Sequence, residues 1–210
     1  MKKTFILIPV LISFAVTGFA QDEPQVLIGN NIHNISGFGG FMMELSSINH
    51  DLNVSTGGGG AVLLNQVFYI GGYGMNNHSE ASFAVPAGMY QAPANLDFHH
   101  GGLWVGYIFK PNKLFHYNVS TKFGWGNIRV TETNVPRETI LSDNIFAFTP
   151  QVEGEVNIAY WFRINASVGY RLVDGVNNQY YHTSDFCSPT FGLSFIFGWF
   201  KPYDFGDWDF

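Results

Sequence analysis

Acyl transfer by a serine needs a base within hydrogen-bond reach and a carboxylate to orient that base. The stretch His182-Thr183-Ser184-Asp185 offers a histidine and a serine two residues apart, which on a strand would share a face. No Asp or Glu lies between Asp185 and Asp204, so the last strand supplies no orienting carboxylate. A polar loop is therefore the better account of His182 and Ser184. His99 and His100 are adjacent, so on a strand they point to opposite faces and do not hold one metal together. The run Gly57 to Gly60 has neither a following Lys-Ser or Lys-Thr nor a following helix, so it is not a phosphate loop. The single cysteine, Cys187, excludes a disulfide framework, a four-thiolate zinc site and a thioredoxin-type pair. No metal and no cofactor is expected. What remains is a set of charges on otherwise small, polar faces: Lys122, Glu153, Glu155 and Arg171.

These residues must be placed by strands, because the chain alternates. Phe115, Tyr117, Val119, Thr121, Phe123 and Trp125 share one face, with His116, Asn118, Ser120, Lys122 and Gly124 on the other. Ile128 and Val130 then break the phase, which predicts a bulge near Gly126-Asn127. Phe146, Phe148, Val152, Val156, Ile158 and Tyr160 oppose Thr149, Gln151, Glu153, Glu155 and Asn157. Ile164, Ala166, Val168, Tyr170 and Leu172 oppose Arg163, Asn165, Ser167, Gly169 and Arg171, and Phe191 to Trp199 repeats the pattern. With noisier segments in the first half, the expected strands are 36–48, 52–64, 67–82, 95–109, 115–131, 146–161, 164–173 and 191–200. Short links near 65–66, 110–114 and 162 alternate with long ones at 83–94, 132–144 and 174–187. The link at 49–51 is short and breaks this order, unless fraying at Gly57 to Gly60 lengthens it.

Composition says what the faces meet. Charged residues make up 12% of the chain, against about 25% in an average soluble domain. That is too few to cover the surface of a water-soluble barrel. Ten basic against 16 acidic residues also argue against a nucleic-acid partner. Lys2-Lys3, the apolar run from Phe5 to Val16 and Gly18-Phe19-Ala20 form a secretory signal pattern, with cleavage expected after Ala20. No later stretch approaches the roughly 20 apolar residues of a membrane helix, so a membrane would be crossed by strands. Small polar residues suit a narrow interior and an aromatic face suits lipid, which predicts an all-β, closed, antiparallel, eight-stranded up-and-down transmembrane barrel. The expected organisation is a signal peptide (1–20), an N-terminal periplasmic segment (21–35), the barrel (36–200) and a C-terminal tail (201–210).

This pattern resembles the small eight-stranded outer-membrane barrels of the OmpX and OmpA-membrane-domain type. The stretches Gly169-Tyr170-Arg171-Leu172-Val173, Ser184-Asp185-Phe186 and Phe197-Gly198-Trp199-Phe200 are similar to those of Bacteroidota outer-membrane barrels. The resemblance implies a place in the outer membrane of a Gram-negative cell, among its lipids, after insertion by the barrel-assembly machinery. Barrels of this type usually end at the aromatic residue of the last strand; here ten residues follow. The assembly signal then falls on Trp199 and Phe200, or on Phe210. A structural or surface-interaction role is expected, as a monomer, with long loops available to an extracellular ligand. The alternative is a lipid-modifying enzyme: the His182/Ser184 spacing resembles that of the lipid A deacylases, also eight-stranded, whose site would sit near the outer leaflet. A pore is disfavoured, because eight strands leave an interior filled by side chains.

The charges in that interior must pair. A three-residue turn centred on Phe162 would set Glu153 opposite Arg171 and Glu155 opposite Gly169. Arg171 is then expected to bond Glu153 or Glu155, with Lys122 nearby, as a brace that plugs the barrel. Asn118 and Asn165 would face the same lumen.

Overall fold

Alternation over a dozen or more residues per segment gives strands with two unlike faces, and closing the sheet leaves no unpaired edge. The computed structural model describes Ile32 and residues 34–48, 51–83, 94–132, 139–178 and 181–200, with the backbone alone at 78–83, 94, 132 and 140. The expected signal peptide and its cleavage point, nearly all of 21–35, and the tail 201–210 lie outside the described residues. The strands are β1 (Ile35–Ile48), β2 (Asp51–Leu64), β3 (Phe68–Phe83), β4 (Ala94–Phe109), β5 (Phe115–Glu132), β6 (Thr139–Ala159), β7 (Phe162–Asp174) and β8 (Ser188–Gly198). Each pairs antiparallel with the next, and β1 closes on β8 from Phe38↔Gly198 to Ser46↔Thr190. The expected closed, eight-stranded up-and-down barrel is the fold observed.

Three tight connections define one rim, the turn rim: 65–67, 110–114 and 160–161. Asn65 and Gln66 both have positive φ, 52° and 62°, the requirement of a twist-matched hairpin turn. Their side chains tie that turn to the start of β1: Asn65 Oδ1 accepts from the Asn34 N–H at 3.2 Å, and Gln66 Nε2 donates to Ser36 Oγ at 3.1 Å. The opposite, loop rim carries the connections at 49–50, 84–93, 133–138 and 175–187. A 3₁₀ turn, Thr183–Phe186, folds within the last of these and buries Phe186 completely. Gly175 starts that loop at φ 99°, and a Cβ there would lie 2.5 Å from the Asn144 carbonyl oxygen, so only glycine fits.

Six of the eight strands fall within two residues of expectation at both ends. β6 starts seven residues earlier than expected and β8 three residues earlier. In the first stretch outward Ser142 and Asn144 are polar, and in the second the outward residue is Pro189, so no apolar stripe announces either extension. Pairing holds them instead, as in Asn127↔Asn144 and Arg129↔Ser142. β2 does not fray, since Gly57 to Gly60 pair with β1 and β3 without a break. The expected bulge at Gly126-Asn127 is also absent: β5 keeps one register on β4 from Phe109↔Tyr117 to Ala94↔Glu132. Ile128 and Val130 simply continue the inward parity, and at that level inward is apolar.

The interior is layered. Near the turn rim, Phe38, Tyr69 and Trp104 pack edge to face with centroids 5.0–5.5 Å apart, joined by Met42, Leu63 and Ile196. Near the loop rim, Leu96, Phe98, Ile128, Val130, Ile145 and Phe186 form a second apolar cluster. The charged and amide side chains lie among and between these clusters. The lumen is therefore less uniformly polar than its small-residue faces suggested.

Two glycines separate packing from chance. At Gly126 a Cβ would sit 1.9 Å from the His99 carbonyl oxygen, whereas at outward Gly74 it would meet nothing within 4 Å. Gly126→Ala should cost about 1–3 kcal/mol by overpacking. Gly74→Ala should be neutral or stabilising by about 0.4–1 kcal/mol. Urea unfolding of the two variants in the same detergent measures both, and equal costs would contradict this packing.

Candidate functional site

Parity along β1, β5, β6 and β7 sends Glu44, His116, Lys122, Glu153, Glu155, Arg163 and Arg171 into the lumen, each at most 5% exposed. An unpaired ion in such a place costs several kcal/mol, so the arrangement is decided by partners. Two centres result.

The first is built on Arg171 and lies toward the loop rim. Nη1 donates to Ser46 Oγ at 3.0 Å and reaches Glu44 Oε1 at 3.5 Å. Nη2 donates to the Ser47 carbonyl at 3.2 Å and to Ser188 Oγ at 3.4 Å. Nε donates to the Phe186 carbonyl at 3.1 Å, and the guanidinium stands 4.8 Å from the centre of the Phe98 ring. Lys122 Nζ lies 3.7 Å from the other Glu44 oxygen and 5.6 Å from the Tyr73 ring centre. One carboxylate thus serves two cations from β5 and β7.

The second centre lies toward the turn rim. Glu155 Oε1 accepts from His116 Nε2 and from Arg163 Nη1, both at 2.8 Å. The Arg163 guanidinium covers the Phe200 ring at 3.7 Å. Glu153 lies beside this pair and is held by neutral donors: Asn118 Nδ2 at 3.0 Å, Gln151 Nε2 at 2.6 Å, and also Ser120 Oγ and Asn165 Nδ2. Four hydrogen bonds take the place of water around this carboxylate.

The expected pairing of Arg171 with Glu153 or Glu155 is corrected. Observed pairs across the β6–β7 hairpin are Glu153↔Ser167 and Glu155↔Asn165, because the turn is the two residues Tyr160-Trp161 and the register shifts by one more residue at a bulge between Asn157 and Ala159. That slides Arg171 past Glu153 and toward the loop rim, where Glu44 waits on β1. Lys122 and Arg171 are brought together through Glu44, while Glu153 and Glu155 form a separate group with His116 and Arg163. Glu44, His116 and Arg163 were missed as partners. The signal for all three was present, since each falls on the polar parity of its strand, but the lack of a register hid which groups meet.

His182 and Ser184 lie outside both centres. They sit at the start of and within the 3₁₀ turn rather than on a strand, so their two-residue spacing does not give them a common strand face. Asp185 closes the turn, its Oδ2 accepting from the His182 backbone N–H at 2.8 Å. Both side chains are exposed. His100 is buried and its Nδ1 faces the Tyr73 hydroxyl at 3.0 Å, while His99 lies on the outer wall, as adjacent strand residues must. Among the described residues no three His, Cys, Asp or Glu side chains could hold one metal ion. The space inside the turn end, bordered by Tyr69, Trp104, Asn118, Glu153 and Arg163, amounts to about 10 Å³, room for one water at most.

No family model matches the chain, and no curated protein matches it. Solved structures are similar to it. Ail of Yersinia pestis, in complex with the heparin analogue sucrose octasulfate, aligns with a TM-score of 0.50 at 14% identity, over 79% of this chain and 97% of that one. The N-terminal β-barrel domain of Pseudomonas aeruginosa OprF aligns at 0.49 and 13%, over 80% and 98%. Neisserial surface protein A aligns at 0.49 and 8%, over 78% and 96%. At 14% identity the likeness to Ail is one of fold.

Arg171→Met should cost about 3–5 kcal/mol, since it strips buried acceptors of their donor. In double-mutant cycles read by chemical unfolding, Arg171 should couple to Glu44 by about 0.5–3 kcal/mol and be additive with Glu153→Gln within about 0.3–0.5 kcal/mol. Coupling to Glu153 instead would restore the register first expected.

Proposed function

We propose that this chain is an outer-membrane β-barrel protein with a structural or surface-interaction role and no catalytic one. The observation that carries the proposal is the outer wall. From Phe115 to Trp125 on β5, from Gly101 to Phe109 on β4 and from Phe146 to Ile158 on β6, the outward residues are apolar, aromatic or small. Trp125, Val152, Ile158 and Val168 are each more than half exposed. In water such a continuous apolar belt would drive aggregation. Its edges are sharp. At the loop side, Thr56, Asn76, His99, Asn127 and Asn144 are paired neighbours across β2 to β6 and form one polar row. At the turn side stand aromatic residues, among them Phe109 stacked on Tyr117 at 4.7 Å and Trp161 stacked on Phe197 at 6.2 Å. Nine to thirteen residues per strand at roughly 3.3 Å each, tilted about 40°, make a belt about 23–33 Å tall, enough for the roughly 25 Å that such barrels present to lipid.

The filled lumen supports an anchor rather than a channel, and the placement of His182 and Ser184 on a 3₁₀ turn instead of one strand face favours interaction over chemistry at the loops. Export by a signal peptide removed after Ala20, insertion by the barrel-assembly machinery and a monomeric state belong to this proposal. A ligand of the sulfated kind bound by Ail is not expected here. The loop-rim segments 49–50, 84–93, 133–138 and 175–187 carry one Arg, Arg137, against Glu138 and Asp185. Their tyrosines, amides and prolines suit a neutral or aromatic surface better.

Membrane fractionation and a gel comparing heated with unheated samples test the core of the proposal. Recovery in the soluble periplasm after a salt wash would overturn it. The mature chain should begin at Gln21 by N-terminal mapping. Val152→Arg or Val168→Arg should cost about 2–4 kcal/mol if the site lies near the bilayer midplane. Cysteines at 152 and 153 should differ sharply in labelling by a lipid-phase probe; equal labelling would contradict the assignment of faces.

A further inference from the structure

We propose that the lumen near the turn rim is built to hold one resident water, as the common hydrogen-bond partner of Tyr69, Trp104, Asn118 and Arg163. The four side chains come from β3, β4, β5 and β7 and border one small space of about 10 Å³. Each residue is at most 3% exposed. Each also carries one polar atom that has no hydrogen-bond partner among the described residues: Tyr69 Oη, Trp104 Nε1, Asn118 Oδ1 and Arg163 Nε. Buried polar atoms are nearly always paired, so four such atoms around one space call for a shared partner.

The other atoms of these groups are committed, which fixes what the space offers. Asn118 Nδ2 donates to Glu153 Oε2 at 3.0 Å. That bond orients the amide, so its carbonyl oxygen is left as an acceptor. Arg163 Nη1 donates to Glu155 Oε1 at 2.8 Å and the guanidinium face covers Phe200 at 3.7 Å, so Nε–H is a donor still to be matched. The indole N–H of Trp104 can only donate, whereas the Tyr69 hydroxyl donates or accepts. The carboxylates of Glu153 and Glu155 also border the space. Each of their oxygens already accepts a hydrogen bond from another side chain.

Two donors, one acceptor and one hydroxyl that can be either match a water molecule, which gives two hydrogen bonds and receives two. The indole and guanidinium N–H groups donate to its oxygen, and its hydrogens go to Asn118 Oδ1 and Tyr69 Oη. A metal cation would face two N–H donors, and an anion would face two carboxylates. The volume is close to the minimum of about 10–15 Å³ that one water needs, and Phe38, Ile108, Ile196 and Phe200 close the remaining sides. The water ties together β3, β5 and β7, which are not neighbours in the sheet. It also holds the Arg163 guanidinium over Phe200 from a second side.

The test uses the full-length protein folded in detergent micelles, with isotopic nitrogen in its tryptophan and arginine residues. A water enclosed by the aromatic layer stays long enough to cross-relax directly with protons beside it. The Trp104 indole N–H and the Arg163 Nε–H should each give a cross-peak at the water frequency in magnetic resonance spectra. Its sign should be opposite in laboratory-frame and rotating-frame experiments, which separates it from proton exchange. Trp104→Phe identifies the indole signal by its loss. Tyr69→Phe removes a hydroxyl proton that could imitate water, and both cross-peaks should persist there because the water keeps three partners. Heat-modifiable mobility confirms that each variant is folded. In a crystal structure that resolves internal waters, one density peak should lie about 2.7–3.2 Å from at least three of the four atoms. Absence of both cross-peaks, their loss in Tyr69→Phe, or no density within reach of three of these atoms overturns the proposal.

Discussion

Charge buried in a lumen too narrow for bulk water is the constraint on which this structure depends. An eight-stranded barrel has an interior just wide enough for side chains, and this one holds three carboxylates (Glu44, Glu153, Glu155) with Lys122, Arg163 and Arg171. Each ion must recover by contact what it loses in hydration. The solutions differ. Glu44 divides its two oxygens between Lys122 and Arg171. Glu155 gathers Arg163 and His116 on a single oxygen. Among the described residues Glu153 has no cation at hydrogen-bond distance, and it is held by three amides and a hydroxyl. Because β1, β5 and β7 are not neighbours in the sheet, the Glu44 bridges cross the lumen and bind the walls to one another.

The apolar layers raise the stakes of this pairing. Phe38, Tyr69 and Trp104 crowd the lumen toward one rim, and Leu96, Phe98, Ile128 and Phe186 close it toward the other. A charge pair sealed from water is both stronger when made and more costly when broken. The aromatic layers in turn depend on glycine. Gly106 lies against the Tyr69 ring and Gly124 against the Tyr73 hydroxyl, each so close that a Cβ would fall within 2.5 Å. The inward rings of Tyr69 and Tyr73 are accommodated because those facing positions carry no side chain.

Much of this was legible in the sequence, and the limit can be located. The parity of β6, β7 and β8, and of β5 as far as Trp125, followed from alternation alone. Parity survives errors in turn length of an even sum, and for that reason the inward and outward sets held while the partners did not. The two-residue turn at Tyr160-Trp161, together with the bulge between Asn157 and Ala159, kept the pair sums even and changed who faces Arg171. Glu44 lies 127 residues from Arg171 in the chain, and no local pattern joins them. Ile128 and Val130 misled for a different reason. Apolar residues were taken to mark the outward face, but above the belt the outer wall is polar and the apolar side turns in.

The same geometry connects the lumen to the loops. Arg171 holds Glu44 and Ser46 with one end of its guanidinium, and with Nε it holds the carbonyl of Phe186 in the last loop. Phe186 in turn stacks on Phe98, which lies under that guanidinium. Moving the loop would therefore take an acceptor from a buried cation and open the apolar layer that shields it. Both costs fall on one residue, so the conformation of the 175–187 loop and the charge balance of the interior are a single property. Any surface that bound this loop without disturbing Phe186 would use the barrel as a rigid mount; one that drew Phe186 out would have to supply the energy of unpacking the lumen as well.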